Sequence, residues 1–260
     1  MSSRPEILFP LFSDLTSLPG IGEKIATALG ALKISKPRDL IFILPHSVVD
    51  RRVVPTVQNL SAAKTVTVRV TVIQHIAARG RGKPYRIIVD DSQSSIELIY
   101  FHARGDYLEK LLPVGEQRLI SGKLEIFDHR AQIVHPDYVL PLDEKNKIPN
   151  FQALYPLTAG ISHKVMLKGV AAAVALVPDL AEWIEPSVLR DRRWPSFLPA
   201  LQMAHSPEST FDISQHAPAR ERLAYDEFLA HQLTKAIARS QARGIPVERL
   251  RETGSCKRWF

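Results

Sequence analysis

The sequence predicts an α+β protein in which a five-stranded antiparallel β-barrel lies between two helical segments. Three observations predict it. Residues 64–73 alternate strictly, with Val66, Val68, Val70 and Val72 on one parity and Thr65, Thr67, Arg69 and Thr71 on the other, the period-two pattern of a half-buried strand. Four more β-rich runs follow before residue 140, with a single short helical stretch among them. On both flanks, apolar residues recur at helical spacing instead.

Taken in chain order, residues 1–58 form a helical element. Ser13-Asp14 offers a helix start, and Leu15, Leu18, Ile25, Ala28, Leu29 and Leu32 recur at roughly helical spacing. Leu18-Pro-Gly-Ile-Gly22 interrupts them as a tight turn. A second short helix is expected over Asp39–Leu44, stopped by Pro45. Residues 59–142 carry the strands: 64–73, Tyr85–Val89, Ser95–Phe101, Gln117–Phe127 and Ala131–Val139, with a short helix at Asp106–Leu112 between the third and fourth. That order is the order of an OB-fold, a partly open Greek-key barrel. Residues 143–260 read as a helical linker: a proline-bearing connection to 162, a helix from His163 to Val177, short pieces broken by Pro186, Pro195, Pro199, Pro207 and Pro218, and a long amphipathic helix over Ala219–Arg243 with Leu223, Phe228, Leu229, Leu233 and Ile237 as its stripe.

Composition narrows the class. The chain has 260 residues, 45% hydrophobic and 23% charged, with a formal net charge of +7, values of a soluble globular protein with a mild preference for a polyanionic partner. The basic excess is spread along the chain, so local clusters must carry the argument. Cys256 is the only cysteine, which excludes a disulfide framework and a cysteine-rich zinc site. The N-terminus lacks the pattern of a signal peptide, and the longest apolar run, Val170–Val177, is far short of a membrane span. A cytoplasmic location is expected, with no membrane partner.

Three clusters could bind nucleic acid. The turn Leu18-Pro-Gly-Ile-Gly-Glu-Lys24 resembles the hairpin of a helix-hairpin-helix element: Gly20 and Gly22 let the backbone approach a phosphate at a helix N-terminus, and Lys24 adds charge. The alternative is a helix-helix turn whose glycines serve geometry alone. Between the first two strands, Arg79, Arg81, Lys83 and Arg86 crowd a hairpin tip that contains no acid, and in OB-folds that loop is one of those that contact oligonucleotides. In the third strand, Phe101 falls on the parity opposite to Ile96, Leu98 and Tyr100, so it points away from the barrel interior, where it could stack on an unpaired base or pack on the N-terminal helices. Tyr107 is a second aromatic nearby. The nine histidines are scattered without metal-ligand spacing, Asp90-Asp91 read as turn residues, and neither a nucleophile elbow nor a G-x-x-x-x-G-K-[ST] phosphate cradle occurs. Neither metal nor cofactor is expected in this chain.

Several stretches together resemble the N-terminal wedge region of RecG-type DNA helicases: Leu18-Pro-Gly-Ile-Gly-x-Lys24, Pro37-Arg-Asp-Leu40, Leu44-Pro-His46, Asp50-Arg-Arg52, Val89-Asp-Asp91, Tyr100-Phe-His102, Gly122-Lys-Leu124, His135-Pro-Asp-Tyr138, Tyr155-Pro-Leu-Thr158 and Arg222–His231. Their order and spacing carry the likeness. The resemblance implies an ATP-dependent helicase that remodels stalled forks and Holliday junctions in recombination and repair, with an OB wedge that grips branched DNA and aromatics after the third barrel strand that stack on bases. Phe101 matches that position best and Tyr107 is second; His102 stands where the family commonly has Asn. The family's ATP and Mg²⁺ belong to motor domains that this chain lacks, and Gly244–Phe260 departs from the family. The sequence therefore reads as a truncated or frame-shifted monomer, associated with the nucleoid, that binds forks without unwinding them. A general single-strand-binding OB protein and a protein-interaction scaffold are the alternatives.

Overall fold

The computed structural model describes residues 5–58, 60, 64–77, 80, 83–102, 104–127 and 130–243. After two 3₁₀ turns, Glu6–Phe12 and Leu15–Ser17, come helices α1 (Glu23–Gly30) and α2 (Pro37–Ile41) and strands β1 (Ser47–Asp50), β2 (Val53–Val54), β3 (Thr65–Ile76), β4 (Tyr85–Asp90) and β5 (Ser95–Tyr100). Helix α3 (Gly105–Leu111) precedes β6 (Gln117–Phe127), β7 (Arg130–Val134), β8 (Tyr138–Leu140) and β9 (Phe151–Leu154). Helices α4 (His163–Ala175), α5 (Pro186–Arg192), α6 (Phe197–His205) and α7 (Pro218–Arg243) complete the chain order.

The alternating valines of β3 do what their spacing predicts. Val66, Val68, Val70 and Val72 are all buried, and with Ile87, Val89, Ile96, Leu98, Ile120, Leu124 and Ile133 they fill a closed barrel. Its strand order is β3-β4-β5-β7-β6, with β6 returning to β3, the OB order. One pairing differs from the all-antiparallel expectation: β5 and β7 run parallel, from Ile96 opposite Ala131 to Ile99 opposite Val134. The intervening α3 and β6 supply the long crossover that a parallel pair requires.

Two irregularities shape the barrel. In β3, Val72 faces Val89 while Gln74 faces Ile88, so Ile73 is an extra residue. This bulge changes the parity of the strand end, leaving Ile73 exposed and His75 half-buried. The run expected as one strand over Ala131–Val139 breaks at His135-Pro136-Asp137 into β7 and β8. His135 sits at φ 46°, which ends the ladder locally.

Gly122 faces the barrel interior. A Cβ there would lie 2.5 Å from Ile133 Cγ2 and 3.2 Å from the Pro136 Cα. Backbone on one side and a core methyl on the other leave little room to yield. Gly122→Ala is expected to cost about 2–3 kcal/mol by overpacking, read as a lower urea midpoint at unchanged m-value; an unaltered midpoint would contradict that packing.

The second core joins both flanks of the barrel. Leu18, Ile21, Leu29 and Leu40 from the first segment pack with Tyr155, Met166, Val170, Ala173, Leu201 and Leu223 from the last. Strand β1 pairs antiparallel with β9, Ser47 opposite Leu154 through Asp50 opposite Phe151. The barrel is thus carried as an excursion from one helical unit. Gly169 of α4 permits close approach, because a Cβ there would meet Ile21 Cδ1 at 3.1 Å.

Arg51 ties the two units together. Only 6% exposed, it donates from Nε to Gln152 Oε1 of β9 and from Nη1 to Ser121 Oγ of β6 at 2.8 Å, and Nη2 reaches Asp137 Oδ2 at 2.8 Å. Its guanidinium lies 5.1 Å from the Tyr138 ring centroid. Ser121 in turn pairs with Thr67 of β3, Oγ to Oγ1, at 2.8 Å. Helix α7 packs through its first turns, where Ala219 and Leu223 are buried, while Phe228, Leu233 and Ile237 of the amphipathic stripe are exposed. Among the described residues, no helix is long and apolar enough to cross a membrane.

Candidate nucleic-acid interface

The ladder registers bring three of the sequence-predicted residues, Lys83, Arg86 and Phe101, to one end of the barrel. Ile76 of β3 pairs with Arg86, Arg86 with Ile99, and Ile99 with Val134, so one rung crosses four strands. One step beyond it lie the loop after Ile76, the residues after Tyr100, and His135. Lys83 is exposed in that loop, its N–H 3.4 Å from the Gly80 carbonyl, with Gly80 at φ 109°. Arg79 and Arg81 lie outside the described residues. Arg86 is exposed on the outer face.

Phe101 stands at this rim, 43% exposed. It shares its parity with Ile99 and Glu97, the barrel's outer side, and Tyr100 points inward. The chain then turns sharply: His102 adopts φ 58°, a left-handed conformation in which Asn, Asp and His are enriched. The histidine at position 102 therefore has a backbone reason. Helix α3 begins at Gly105, whose missing Cβ leaves room for the Tyr85 ring; a Cβ would sit 3.3 Å from its Cε2. Tyr107, in the first turn of α3, is 62% exposed.

A hydrogen-bonded frame holds this rim. His75 lies between the Tyr85 hydroxyl, 3.0 Å from Nδ1, and the Leu112 carbonyl, 2.7 Å from Nε2. The carbonyl can only accept, so Nε2 carries a hydrogen. Tyr100 is buried, its ring edge-on to His135 with centroids 5.7 Å apart, and burial pushes its phenol up, with the nearby Tyr107 adding to the rise.

Beyond the rim, the outer face carries a pattern that sequence reasoning missed. Glu97, half-buried on β5, lies 3.9 Å from Arg86 Nη1 on β4 and accepts from Arg130 Nη1 on β7 at 3.4 Å. One carboxylate shared by two exposed guanidiniums leaves a net positive stripe. A lone arginine in the last barrel strand has no local signature; only the parallel β5–β7 pairing puts it beside Glu97.

The glycine turn belongs to the helical unit. Ile21 N–H donates to the Leu18 carbonyl at 3.1 Å and Gly20 takes φ 81°, as a type II turn requires. Leu18 and Ile21 are buried, and Ile21 packs against α4, so hydrophobic anchoring fixes the turn. Gly20, Gly22 and Lys24 remain exposed. The first helical donors to the Gly22 carbonyl are Ile25 and Ala26, leaving the earlier N–H groups without an intrahelical partner. The structure thus gives two separate surfaces, this turn and the barrel rim.

The remaining candidates have structural roles. Asp90 accepts from Ser92 N–H, and Asp91 from Val57, Gln93 and Ser94 N–H and the Thr56 hydroxyl. Burial raises the Asp91 carboxyl, but these donors outweigh it and hold it below the usual carboxylate range. His205 bridges the Tyr155 hydroxyl and the Ile41 carbonyl, and burial pushes it below its ordinary value. Among the described residues, no three His, Cys, Asp or Glu side chains cluster to hold a metal ion.

A closed OB barrel with an aromatic and basic rim, clasped by a helical unit built from both of its flanks, defines the class as an OB-fold domain on a helical clasp. The chain belongs to the RecG wedge domain family, whose match covers residues 15–177. It is 25% identical over 241 residues to the ATP-dependent DNA helicase RecG of Acidithiobacillus ferridurans, covering 90% of this chain and 34% of that protein. It is 27% identical over 227 residues to the ATP-dependent DNA helicase RecG of Haemophilus influenzae, covering 84% and 32%. The chain spans about a third of the length of these curated relatives. Among solved structures, RecG bound to a three-way DNA junction superposes with a TM-score of 0.71 over 93% of this chain and 32% of that one, at 23% identity; that likeness concerns the fold.

Proposed function

We propose that this chain is a wedge that grips branched DNA. The observation that carries the reading is the placement of exposed Phe101 at the barrel end where the basic loop also emerges. The family's helicases, and the solved RecG bound to a three-way junction, support branched DNA as the ligand. Lys83 and Arg86 hold phosphates, together with Arg79 and Arg81 of the same loop and with Arg130 on the adjoining face. Phe101 caps an unpaired base at the branch point, and Tyr107 offers a second stacking surface. Gly20, Gly22 and Lys24 give a separate phosphate contact through free N–H groups and one cation. The role is passive and monomeric: ATP and Mg²⁺ act in a motor that draws DNA past the barrel, and no step of that chemistry is assigned to these residues.

Phe101→Ala is the direct test. Base stacking is worth about 1–3 kcal/mol, so fork affinity is expected to fall roughly 5- to 150-fold. Arg86→Ala is expected to weaken binding across sequences and reduce the salt slope by about one. Forks should outcompete single strands of the same length. Equal affinity for both, or a Phe101→Ala variant that binds forks as tightly as the parent, would rule the wedge out.

A further inference from the structure

The rim contains a contact that the stacking role does not by itself require. The parallel β5–β7 ladder ends with His135 N–H donating to the Ile99 carbonyl at 2.9 Å. In a regular parallel ladder the next rung would run from Phe101 N–H to the His135 carbonyl. Here the left-handed turn at His135 interrupts the strand, and Phe101 N–H donates instead to His135 Nε2 at 3.1 Å. The imidazole side chain extends the ladder by one rung. An accepting Nε2 places the ring hydrogen on Nδ1. The same ring lies against two aromatics, with centroids 5.7 Å from Tyr100 and 5.8 Å from Phe101.

We infer that His135 is the positioning residue for Phe101: by accepting the Phe101 N–H and packing on its ring, it fixes the aromatic at the angle needed to meet a base. The inference rests on the reading of Phe101 as the stacking residue. His102, left-handed immediately after Phe101, makes the backbone depart there. Without an acceptor, Phe101 would be the last residue of a frayed strand, and the base would have to order it on binding. With His135 in place that ordering is already made, and preorganisation of this kind raises affinity.

Two substitutions separate positioning from a turn requirement. Asparagine is the better residue for the left-handed backbone of position 135 but is too short for its amide oxygen to reach the place of Nε2. Glutamine suits the turn less well yet carries an oxygen to that place. A purely structural turn role ranks His135→Asn above His135→Gln; a positioning role ranks them the other way. In the full chain, three readouts apply: amide exchange of Phe101 without DNA, quenching of 2-aminopurine at the branch base of a fork, and fork affinity.

His135→Asn is expected to speed Phe101 exchange, weaken the quench and lower fork affinity about 2- to 10-fold, the worth of one net hydrogen bond. His135→Gln is expected to recover all three to within about 2-fold of the parent, on the same principle. If His135→Asn leaves exchange and quench at parent values while Phe101→Ala abolishes the quench, the positioning role is overturned and the stacking role stands. Should Phe101→Ala itself leave quench and affinity unchanged, both are overturned.

Discussion

Replacing Arg222 with leucine is expected to destabilise the folded chain by about 3–5 kcal/mol, the cost of removing one partner from a buried ion cluster. Arg222 is fully buried on α7. Its Nη1 and Nη2 reach the two Glu182 oxygens at 2.9 and 3.0 Å, its Nε reaches Asp226 at 3.0 Å, and its guanidinium carbon lies 5.2 Å from the Trp183 ring centroid. Burial raises the Glu182 carboxyl, but Arg222 and the Ile184 and Trp183 N–H groups outweigh this and leave it lowered. At Asp226 burial prevails over the same guanidinium and the Trp183 indole, and its carboxyl stays raised. Leucine would leave two carboxylates facing each other with no cation between them. Thermal unfolding should fall by on the order of 10 °C for a chain of this size.

The pH dependence of that loss fixes its cause. Without Arg222, the Asp226 carboxyl, already raised by burial, would rise further, and Glu182 would lose two of the causes that lower it. The folded state then binds more protons than the unfolded state at mildly acidic pH, and the variant gains stability as pH falls. The gap to the parent should narrow on going from neutral pH to about pH 4, near the ordinary carboxylate range. A gap that stays constant over that interval would mean that lost packing, and not stranded charge, explains the variant.

The barrel was legible because its signals are local. Alternation in β3, the turn acids Asp90-Asp91 and the helix between the third and fourth strands each occupy a few consecutive residues, and together they order the strands. What escaped was long-range or hidden in the backbone. Nothing local to Val48 or Ala153 announces that β1 and β9 pair, so the flanks read as unrelated helical segments although they share one core. The parallel β5–β7 contact depends on a crossover, and with it the approach of Arg130 to Glu97. His102 and His135 look like two more scattered histidines; their places in the backbone follow from positive φ, which the letter tolerates but does not declare. At the candidate site, the parity of Phe101 and the basic loop could be read, whereas the rung that brings them to one end of the barrel could not.

Arg51→Leu tests whether the barrel must be held at a fixed angle to the helical unit. The side chain satisfies acceptors that lie 101, 70 and 86 residues away in sequence, so its loss acts on the joint between the two cores and not on either one. Ser121 keeps Thr67 as a partner, and Gln152 keeps the Tyr138 hydroxyl through Nε2 at 3.2 Å, but Gln152 Oε1 loses its donor in a buried place. Hydrogen bonds to a charged group are worth about 1.5–3 kcal/mol each and are not additive, so a loss of roughly 3 kcal/mol is expected. Asp137 contributes less, because its side chain is half exposed; Asp137→Asn should cost below about 1 kcal/mol. Arg51→Lys should recover less than half of the leucine deficit, since an ammonium cannot reproduce the planar fork that reaches three acceptors and lies over Tyr138. Function separates the joint from the barrel. A loosened joint leaves the rim intact, so affinity for a single strand should change little, while a fork that touches both the rim and the Gly20–Lys24 turn should bind several-fold more weakly, by loss of effective concentration between two linked contacts. Equal losses on both ligands would place the defect in the barrel itself and remove the turn from the interface.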